Sequence, residues 1–165
     1  MCLDICVREI KDGEKPLLES FMYDAIFIPE GEERPSRDVL KFPEISRYFE
    51  SFGRKGDYCL IAESDNEIIG TVWTRLFSEE NRSYGFIDNS TPELAMSVNY
   101  QYRNKGIGKY LLSEMLKLIE SKGYKQISLS VDTDNFAYEM YKKFGFVDIQ
   151  LVDKSMTMLK ILNVE

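Results

Sequence analysis

The chain has 165 residues, with 21 Lys and Arg against 28 Asp and Glu, three cysteines and no histidine. The absence of imidazole excludes Ser-His-Asp and Cys-His nucleophile systems, and with them histidine-containing metal sites. Acid–base chemistry must then use carboxylates, Tyr, Lys or water, and no metal site is expected. The net charge of −7 argues against general binding to nucleic acid or to an anionic membrane, since both need basic surface.

This length is typical of one domain that buries its own core, so a single domain is predicted over residues 1–165. The three cysteines form no CxxC pair, and Cys2 and Cys6 lie too far apart on one strand for a disulfide. Reduced thiols in a cytoplasmic protein are therefore expected. Charged residues interrupt the apolar N-terminal residues, which predicts no signal peptide, and no apolar run is long enough to span a bilayer.

Hydrophobic periodicity predicts seven strands and four helices in the order βααβββαβαββ, a mixed α/β arrangement. In chain order, the predicted elements are a strand at 3–10, helices at 16–26 and 43–53, strands at 58–62, 68–77 and 93–98, a helix at 106–123, a strand at 126–131, a helix at 135–144, and strands at 146–150 and 155–161. On the first helix the spacing places Leu17 and Phe21 on one face, which predicts burial of that face. The polar segments 28–42 and 78–92 are predicted loops.

A local inversion of charge marks residues 99–109, NYQYRNKGIGK, which contain three basic residues and no acidic one. The segment lies between a predicted strand and a long predicted helix. The first N–H groups of that helix have no partner within the helix, and Gly106 and Gly108 let an anion approach them closely. The segment therefore predicts a pyrophosphate site, although a solvated glycine-rich turn would show the same glycines.

The spacing excludes two common phosphate motifs. GxxxxGK[ST] fails because Arg103 takes its first glycine position, and GxGxxG fails because Leu111 takes its last. The pattern that fits is RxxGxG, at residues 103–108, directly after a strand and before a helix. With this motif the chain resembles the GNAT superfamily of N-acetyltransferases, in which this turn binds the pyrophosphate of acyl-CoA.

The resemblance extends over residues 93–147, a predicted cofactor-binding core. Its second signature is YEMYKKFGF at 138–146, which is similar to the LYxKxGF ending of the family. It implies one GNAT-like N-acetyltransferase domain, with a mixed, mostly antiparallel central sheet flanked by helices and splayed at the acyl-CoA site. Residues 57–77 have weaker family character, and the first 56 residues carry no family motif.

The resemblance also implies acetyl-CoA as cosubstrate and a set of residues that contact it. These are Met96, Ser97 and Val98 through their main chain, the turn residues Arg103, Asn104, Lys105, Gly106, Ile107, Gly108 and Lys109, and Asn135 and Tyr138 on the predicted helix at 135–144. One position departs from the family, because Asp134 stands where an asparagine is usual. Either Asn135 takes that contact with pantetheine or the contact is altered.

Two residues are candidates for catalysis by the same resemblance. Tyr141 aligns with a tyrosine that protonates the departing thiolate, and a phenol with the ordinary pKa of about 10 keeps its proton at neutral pH. Helix packing of an aromatic stripe would also explain this tyrosine. Glu93, at the start of the cofactor strand, is the chosen base for the amine, with Glu79, Glu80 and Asp88 as rivals and a solvated role as the alternative.

The implied function is acetyl transfer from acetyl-CoA to a primary amine of a small molecule or peptide, by direct transfer in a ternary complex. The alternative is a non-catalytic acyl-CoA-binding module with the same fold. Acidic residues at 30–33 favour a cationic acceptor if their loop lines the acceptor entrance, and are otherwise a solvated loop. The sequence is compatible with a homodimer and does not fix the oligomeric state.

Overall fold

The predicted order of strands and helices is present in the computed structural model, which describes residues 4–163. The elements are β1 (Cys6–Glu9), α1 (Leu17–Ala25), α2 (Pro43–Ser46), β2 (Tyr58–Ser64), β3 (Glu67–Arg75), β4 (Glu93–Val98), α3 (Ile107–Ser121), β5 (Gln126–Asp132), α4 (Ala137–Lys143), β6 (Val147–Val152) and β7 (Ser155–Ile161). Short 3-10 turns occupy Asp12–Glu14, Arg37–Lys41 and Tyr100–Tyr102. Leu3, the predicted start of the first strand, and Cys2 lie outside the described residues. Within 4–163 no helix is long and apolar enough to cross a membrane.

The seven strands form one sheet in the order β1-β2-β3-β4-β5-β7-β6. All neighbouring strands are antiparallel except β4 and β5, which are parallel. On one side β4 pairs with β3 along its whole length, from Glu93 opposite Arg75 to Val98 opposite Gly70. On the other side it pairs with β5 only at Glu93 and Ser128, so the strands separate towards their carboxyl ends. The mixed, mostly antiparallel sheet and its splay agree with the sequence-based prediction.

Each face of the sheet has its own hydrophobic core. Helix α3 packs against one face through Leu111, Met115 and Ile119, which are fully buried in the larger core. On β4 the side chains alternate, so Leu94, Met96 and Val98 join this core while Glu93, Ala95 and Ser97 face the opposite side. Helix α1 covers that opposite side of β4.

The buried face of α1 differs from the prediction by one position. Leu18, Phe21 and Met22 are buried, whereas Leu17 is 43% exposed. Both Leu17 and Leu18 fit a helical stripe through Phe21, because residues three and four apart share a face. Periodicity does not show which of the two leucines contacts the sheet. In the structure Leu18 makes this contact.

The second helix is shorter than predicted, because α2 ends at Ser46 and residues 47–51 form turns. The guanidinium of Arg75, 1% exposed, donates hydrogen bonds to the carbonyls of Arg47, Glu50 and Ser51. It also pairs with the buried carboxylate of Asp57, with Arg75 Nη2 2.9 Å from Asp57 Oδ2. These contacts hold residues 47–51 against β3 as turns. The helix therefore does not continue beyond Ser46.

We expect Asp57→Ala to lower the free energy of unfolding by about 3–5 kcal/mol, because it leaves a buried guanidinium without its counter-ion. The measurement is urea denaturation at neutral pH. A matched control is Asp12→Ala, which removes an exposed pair with Lys15 and should cost less than about 1 kcal/mol. Equal losses in the two variants would contradict the structural role of the buried pair.

Candidate active site

The gap between β4 and β5 leaves one edge of a central strand without a strand partner. Beyond the pair at Glu93 and Ser128, no pairing joins the rest of β4 to β5 in the described part of the chain. Backbone N–H and C=O groups inside a protein are nearly always paired, so an unpaired edge in the middle of a sheet is suited to an extended ligand. Residues 96–98, predicted to contact the cosubstrate through their main chain, lie on this edge.

The side chain of Ser97 adds an unpaired group to the same strand. Ser97 is 5% exposed, and its Oγ is the one buried side-chain nitrogen or oxygen in residues 4–163 without a hydrogen-bond partner. A buried hydroxyl left unpaired costs about 1–3 kcal/mol. The strand that borders the gap therefore carries a buried polar atom that a ligand or water would satisfy.

The predicted pyrophosphate turn follows directly after β4. Gly106 forms the N-cap of α3 with φ +83°, a left-handed conformation that favours glycine, and nothing lies within 4 Å of a Cβ built there. No side chain among the described residues caps this end of α3, and its first helical hydrogen bond runs from Tyr110 N–H to Gly106 O. Free N–H groups at the helix start are thus beside open space, which is the geometry that anions require.

The basic residues of this turn carry charge that acidic side chains do not neutralise. Within residues 4–163, no ion pair involves Arg103, Lys105 or Lys109. Arg103 donates from Nε to the carbonyl of Val98 at 3.0 Å, which ties the turn to the end of β4. The local positive charge predicted from the sequence is therefore available at the start of α3.

Gly108 lies where β4, α3 and α4 approach one another. A Cβ at this position would be 3.6 Å from Met96 Cε and 4.0 Å from Met140 Sδ. Both are ordinary contact distances, so a methyl group would fit while a large side chain would fill the space between the strand and α4. Because Gly108, the second glycine of the motif, has no side chain, a narrow space stays open between β4 and α4.

Helix α4 carries the predicted acid, Tyr141. Its ring is buried and packs edge-on against Phe146, with 5.7 Å between ring centroids, which is the packing role that was the alternative to catalysis. Burial raises the pKa of the Tyr141 phenol well above its usual value, since a phenolate would be poorly solvated. The phenol consequently stays protonated at neutral pH.

The other predicted residues of this region have local partners. The hydroxyl of Tyr138 donates to Asp148 Oδ2 on β6 at 2.7 Å, and the side-chain oxygen of Asn135 accepts from the N–H of Ala137 at the start of α4. Asp134 is exposed and lies 3.4 Å from the ammonium of Lys154. The side-chain oxygen of Asn135 therefore orders the start of α4. Its side-chain N–H groups have no hydrogen-bond partner within residues 4–163, so they can bind a ligand.

Glu93, the predicted base, is deeply buried at the point where β4 still pairs with β5. It is 4% exposed, and both of its oxygens accept short hydrogen bonds. Oε2 accepts from the hydroxyl of Tyr48 and Oε1 from that of Ser83, each at 2.5 Å. Burial raises the pKa of Glu93 to about 7, because the hydrogen bonds offset only part of the lost hydration.

The rival carboxylates have different surroundings. Glu79 and Glu80 are exposed, and Glu79 pairs with Arg82 at 2.8 Å. Asp88 accepts hydrogen bonds from Ser90 and Thr91, which lower its pKa and make it a weaker base. The acidic residues at 30–33 are exposed too. Residues 4–163 contain no cluster of three or more His, Cys, Asp and Glu side chains that could hold a metal ion.

Sequence reasoning missed three residues around Glu93, namely Tyr48, Ser83 and Gly85. A Cβ on Gly85 would lie 2.8 Å from Glu93 Oε1 and 2.7 Å from the backbone carbon of Leu129, so only glycine fits there. These residues lie in a turn after α2 and in the loop at 78–92, where no motif or periodicity singles them out. Only the tertiary fold brings them to Glu93.

Solved structures with the same architecture include an acetyltransferase of the GNAT family from Streptococcus pneumoniae. It is 19% identical with a TM-score of 0.70, over 97% of this chain and all of that one. The PaiA N-acetyltransferase of Thermoplasma acidophilum, solved in complex with coenzyme A, is 22% identical with a TM-score of 0.64, over 96% of this chain and 99% of that one. At these identities the likeness is one of fold.

The acetyltransferase (GNAT) family model matches residues 21–146, and the chain belongs to this family. The match includes the glycine turn, the Glu93 strand and the Tyr141 helix. The mycothiol acetyltransferase of Streptomyces coelicolor is 32% identical over 88 residues, which are 53% of this chain and 26% of that protein. That of Streptomyces avermitilis is 30% identical over 87 residues. The chain thus aligns with about a quarter of the length of these curated relatives.

The pKa of Glu93 predicts a pH-dependent stability. Because the folded protein binds this proton more tightly than the unfolded chain, Glu93 stabilises the fold fully below pH 4.5 and loses that contribution as pH rises through about 7. Relative to Glu93→Gln, the free energy of unfolding should fall by about 1.4 kcal/mol for each pH unit across this interval.

Urea denaturation at several pH values measures this difference. A control variant, Glu114→Gln on α3, should give a curve parallel to that of the native protein, because the Glu114 side chain lies partly exposed beside Lys117. A constant difference between the native protein and Glu93→Gln would contradict the raised pKa.

Proposed function

We propose that the protein is an N-acetyltransferase that transfers an acetyl group from acetyl-CoA to a primary amine, by direct transfer in a ternary complex. The observation that carries the proposal is the unpaired edge of β4, which runs straight into a glycine turn with free N–H groups and unneutralised basic residues. A ligand with an extended arm that ends in a pyrophosphate would pair with the edge of β4 and bind the glycine turn at the same time. Membership of the acetyltransferase (GNAT) family supports the same ligand.

The residues present suit acetyl-CoA. The main chain of residues 96–98 would hold the pantetheine arm as a neighbouring strand does, and the turn at 103–109 would hold the pyrophosphate. Asn135 and Tyr138 would border the arm from the α4 side. When bound, acetyl-CoA supplies an acetyl group activated as a thioester. A main-chain N–H on the free edge of β4 would polarise the acetyl carbonyl, since preorganised donors stabilise charge that develops on oxygen.

The two catalytic candidates belong to opposite faces of the sheet, and Glu93 stands at the paired end of β4 from which the gap opens. Glu93 and Ser97 face the α1 side, whereas Tyr141 belongs to the core on the α3 and α4 side. An opening between two strands joins these faces, so cosubstrate and acceptor can approach from different sides and meet at the gap. This arrangement suits transfer in a ternary complex, in which positioning supplies much of the rate.

Glu93 would remove the proton that an alkylammonium, with a pKa of about 10.4, must lose before it attacks. With its own pKa of about 7, Glu93 is partly ionised at neutral pH, which is the useful range for a general base. Because the carboxylate is buried, the proton would reach it through water admitted by the gap. Tyr141 would hold a proton at its hydroxyl that the departing thiolate can take.

The acceptor would be a primary amine of a small molecule or peptide. A cytoplasmic location would suit the free thiols of Cys6 and Cys59, because thiols stay reduced there. The proposed function is compatible with a homodimer and does not depend on one. A non-catalytic acyl-CoA-binding module with this fold is the competing function, and the pairing of Asp134 with Lys154 at a position where the family usually has asparagine is the observation that favours it.

The test is acceptor-dependent thiol release from acetyl-CoA across polyamines, amino acids, aminoglycosides and peptide N-termini. We expect release with at least one class, and a fall in kcat of about 100-fold in Tyr141→Phe, because the leaving thiolate loses its proton donor. Coenzyme A binding, measured by calorimetry, should be retained in this variant.

Tyr124→Phe is the matched control, since Tyr124 packs against Tyr58 after the far end of α3. Its kcat should equal that of the native protein. Unchanged kcat in Tyr141→Phe would overturn the role of this residue. Saturable coenzyme A binding without thiol release for any acceptor would favour the non-catalytic module.

A further inference from the structure

Both oxygens of the Glu93 carboxylate are held by hydroxyl groups from distant parts of the chain. The Tyr48 hydroxyl reaches Oε2 and the Ser83 hydroxyl reaches Oε1, each at 2.5 Å. Hydroxyl groups that donate to an ionised carboxylate form stronger hydrogen bonds than they do with a neutral acid, so both contacts favour the ionised form. A carboxylate fixed at both oxygens has one orientation.

The direction of the Tyr48 hydrogen bond is determined by the backbone. The N–H of Tyr84 donates to the Tyr48 hydroxyl oxygen at 3.0 Å, and an amide N–H can only donate. The phenol proton is therefore left to point at Glu93. Burial raises the pKa of Tyr48, so this phenol remains a donor throughout the range in which Glu93 ionises.

The segment that carries Tyr48 is itself anchored. Trp73 Nε1 donates to the carbonyl of Tyr48 at 2.9 Å, and Arg75 donates to the carbonyl of Arg47 at 3.0 Å. Tyr48 is also buried in the core below α1. These two hydrogen bonds hold the backbone that carries Tyr48, and its buried ring packs against the rings of Phe77 and Tyr84, so the position of the phenol is defined by the fold.

The remaining groups around Glu93 have other partners or act weakly. The N–H of Gly85 and the charge of Arg47 both lower the pKa of Glu93. Arg75 lies opposite Glu93 on β3 and is paired with Asp57. The hydroxyl of Ser128 on β5 donates to Gly85 O. Tyr48 and Ser83 are the two side chains that donate directly to the carboxylate within residues 4–163.

We propose that Tyr48 and Ser83 are positioning residues that hold Glu93 in one orientation and stabilise its ionised form, so that it can take the proton of the acceptor amine. This inference rests on the proposed function. The proton goes to Oε1, because the Ser83 hydroxyl can rotate to accept a hydrogen bond while Tyr48 is held as a donor by Tyr84. The amine loses one proton and Glu93 gains it, and solvent takes it afterwards.

Unequal roles for the two donors follow from this assignment. Tyr48→Phe removes a donor that cannot adapt and should raise the pKa of Glu93 by at least one pH unit, a tenfold rise in proton affinity. Ser83→Ala removes a donor that can also accept from the protonated acid, so its effect should have the same direction and a smaller size.

The experiment is a carbon-13 NMR titration of the protein labelled at its glutamate side-chain carboxyls, with the Glu93 signal assigned by its loss in Glu93→Gln. We expect a midpoint near pH 7 in the native protein, the highest midpoint in Tyr48→Phe and an intermediate one in Ser83→Ala. Tyr124→Phe is the control and should leave the midpoint unchanged. Unchanged midpoints in both test variants would overturn the proposal, and Ser83→Ala decides alone if Tyr48→Phe does not fold.

Kinetics separates positioning from a purely structural contact. The acid limb of kcat/KM, measured with an amine that the acceptor panel identifies, should move to higher pH by the same amount as the carboxyl midpoint. A moved midpoint with an unmoved acid limb would overturn the catalytic part of the inference. If no amine is acetylated, the proposed function fails, while the carboxyl titration still decides whether Tyr48 and Ser83 stabilise the ionised acid.

Discussion

The separation of β4 from β5 is the feature on which the rest of the site depends. Two parallel strands that pair at one position leave hydrogen-bonding groups unused in the middle of a seven-stranded sheet. Such groups are costly when they are buried without partners, so this geometry persists where something else can pair with them. The hydroxyl of Ser97, on the same strand, is also buried without a partner, so it too suits a place where a ligand can pair with it.

Packing on both faces maintains this gap. On one side, α3 is fixed by a fully buried apolar face, and its glycine N-cap therefore has a defined place at the end of β4. On the other side, Arg75 and Asp57 anchor the turns at 47–51, and these turns place Tyr48 against Glu93. The buried ion pair of Arg75 and Asp57 thus determines the surroundings of the candidate base on the neighbouring strand.

Local patterns were sufficient for most of the secondary structure and for the phosphate turn. The alternation around Met96, the helical spacing after Gly106 and the RxxGxG residues are all contained in short stretches of sequence, and the structure has the elements that they predict. The length of α2 and the buried face of α1 were predicted wrongly, because contacts with Arg75 and with the sheet decide them. The partners of Glu93 could not be found at all, since Tyr48 is 45 residues away and only the strand order brings it near.

The most direct test of the gap as a cosubstrate site is the change in backbone amide NMR shifts when coenzyme A is added. We expect the largest saturable changes at Met96, Ser97 and Val98 and in the turn from Gly106 to Lys109. Gly123, another glycine with positive φ at the far end of α3, should change little. Saturable changes that are largest outside these two segments, or no saturable change, would contradict a cosubstrate site on the free edge of β4.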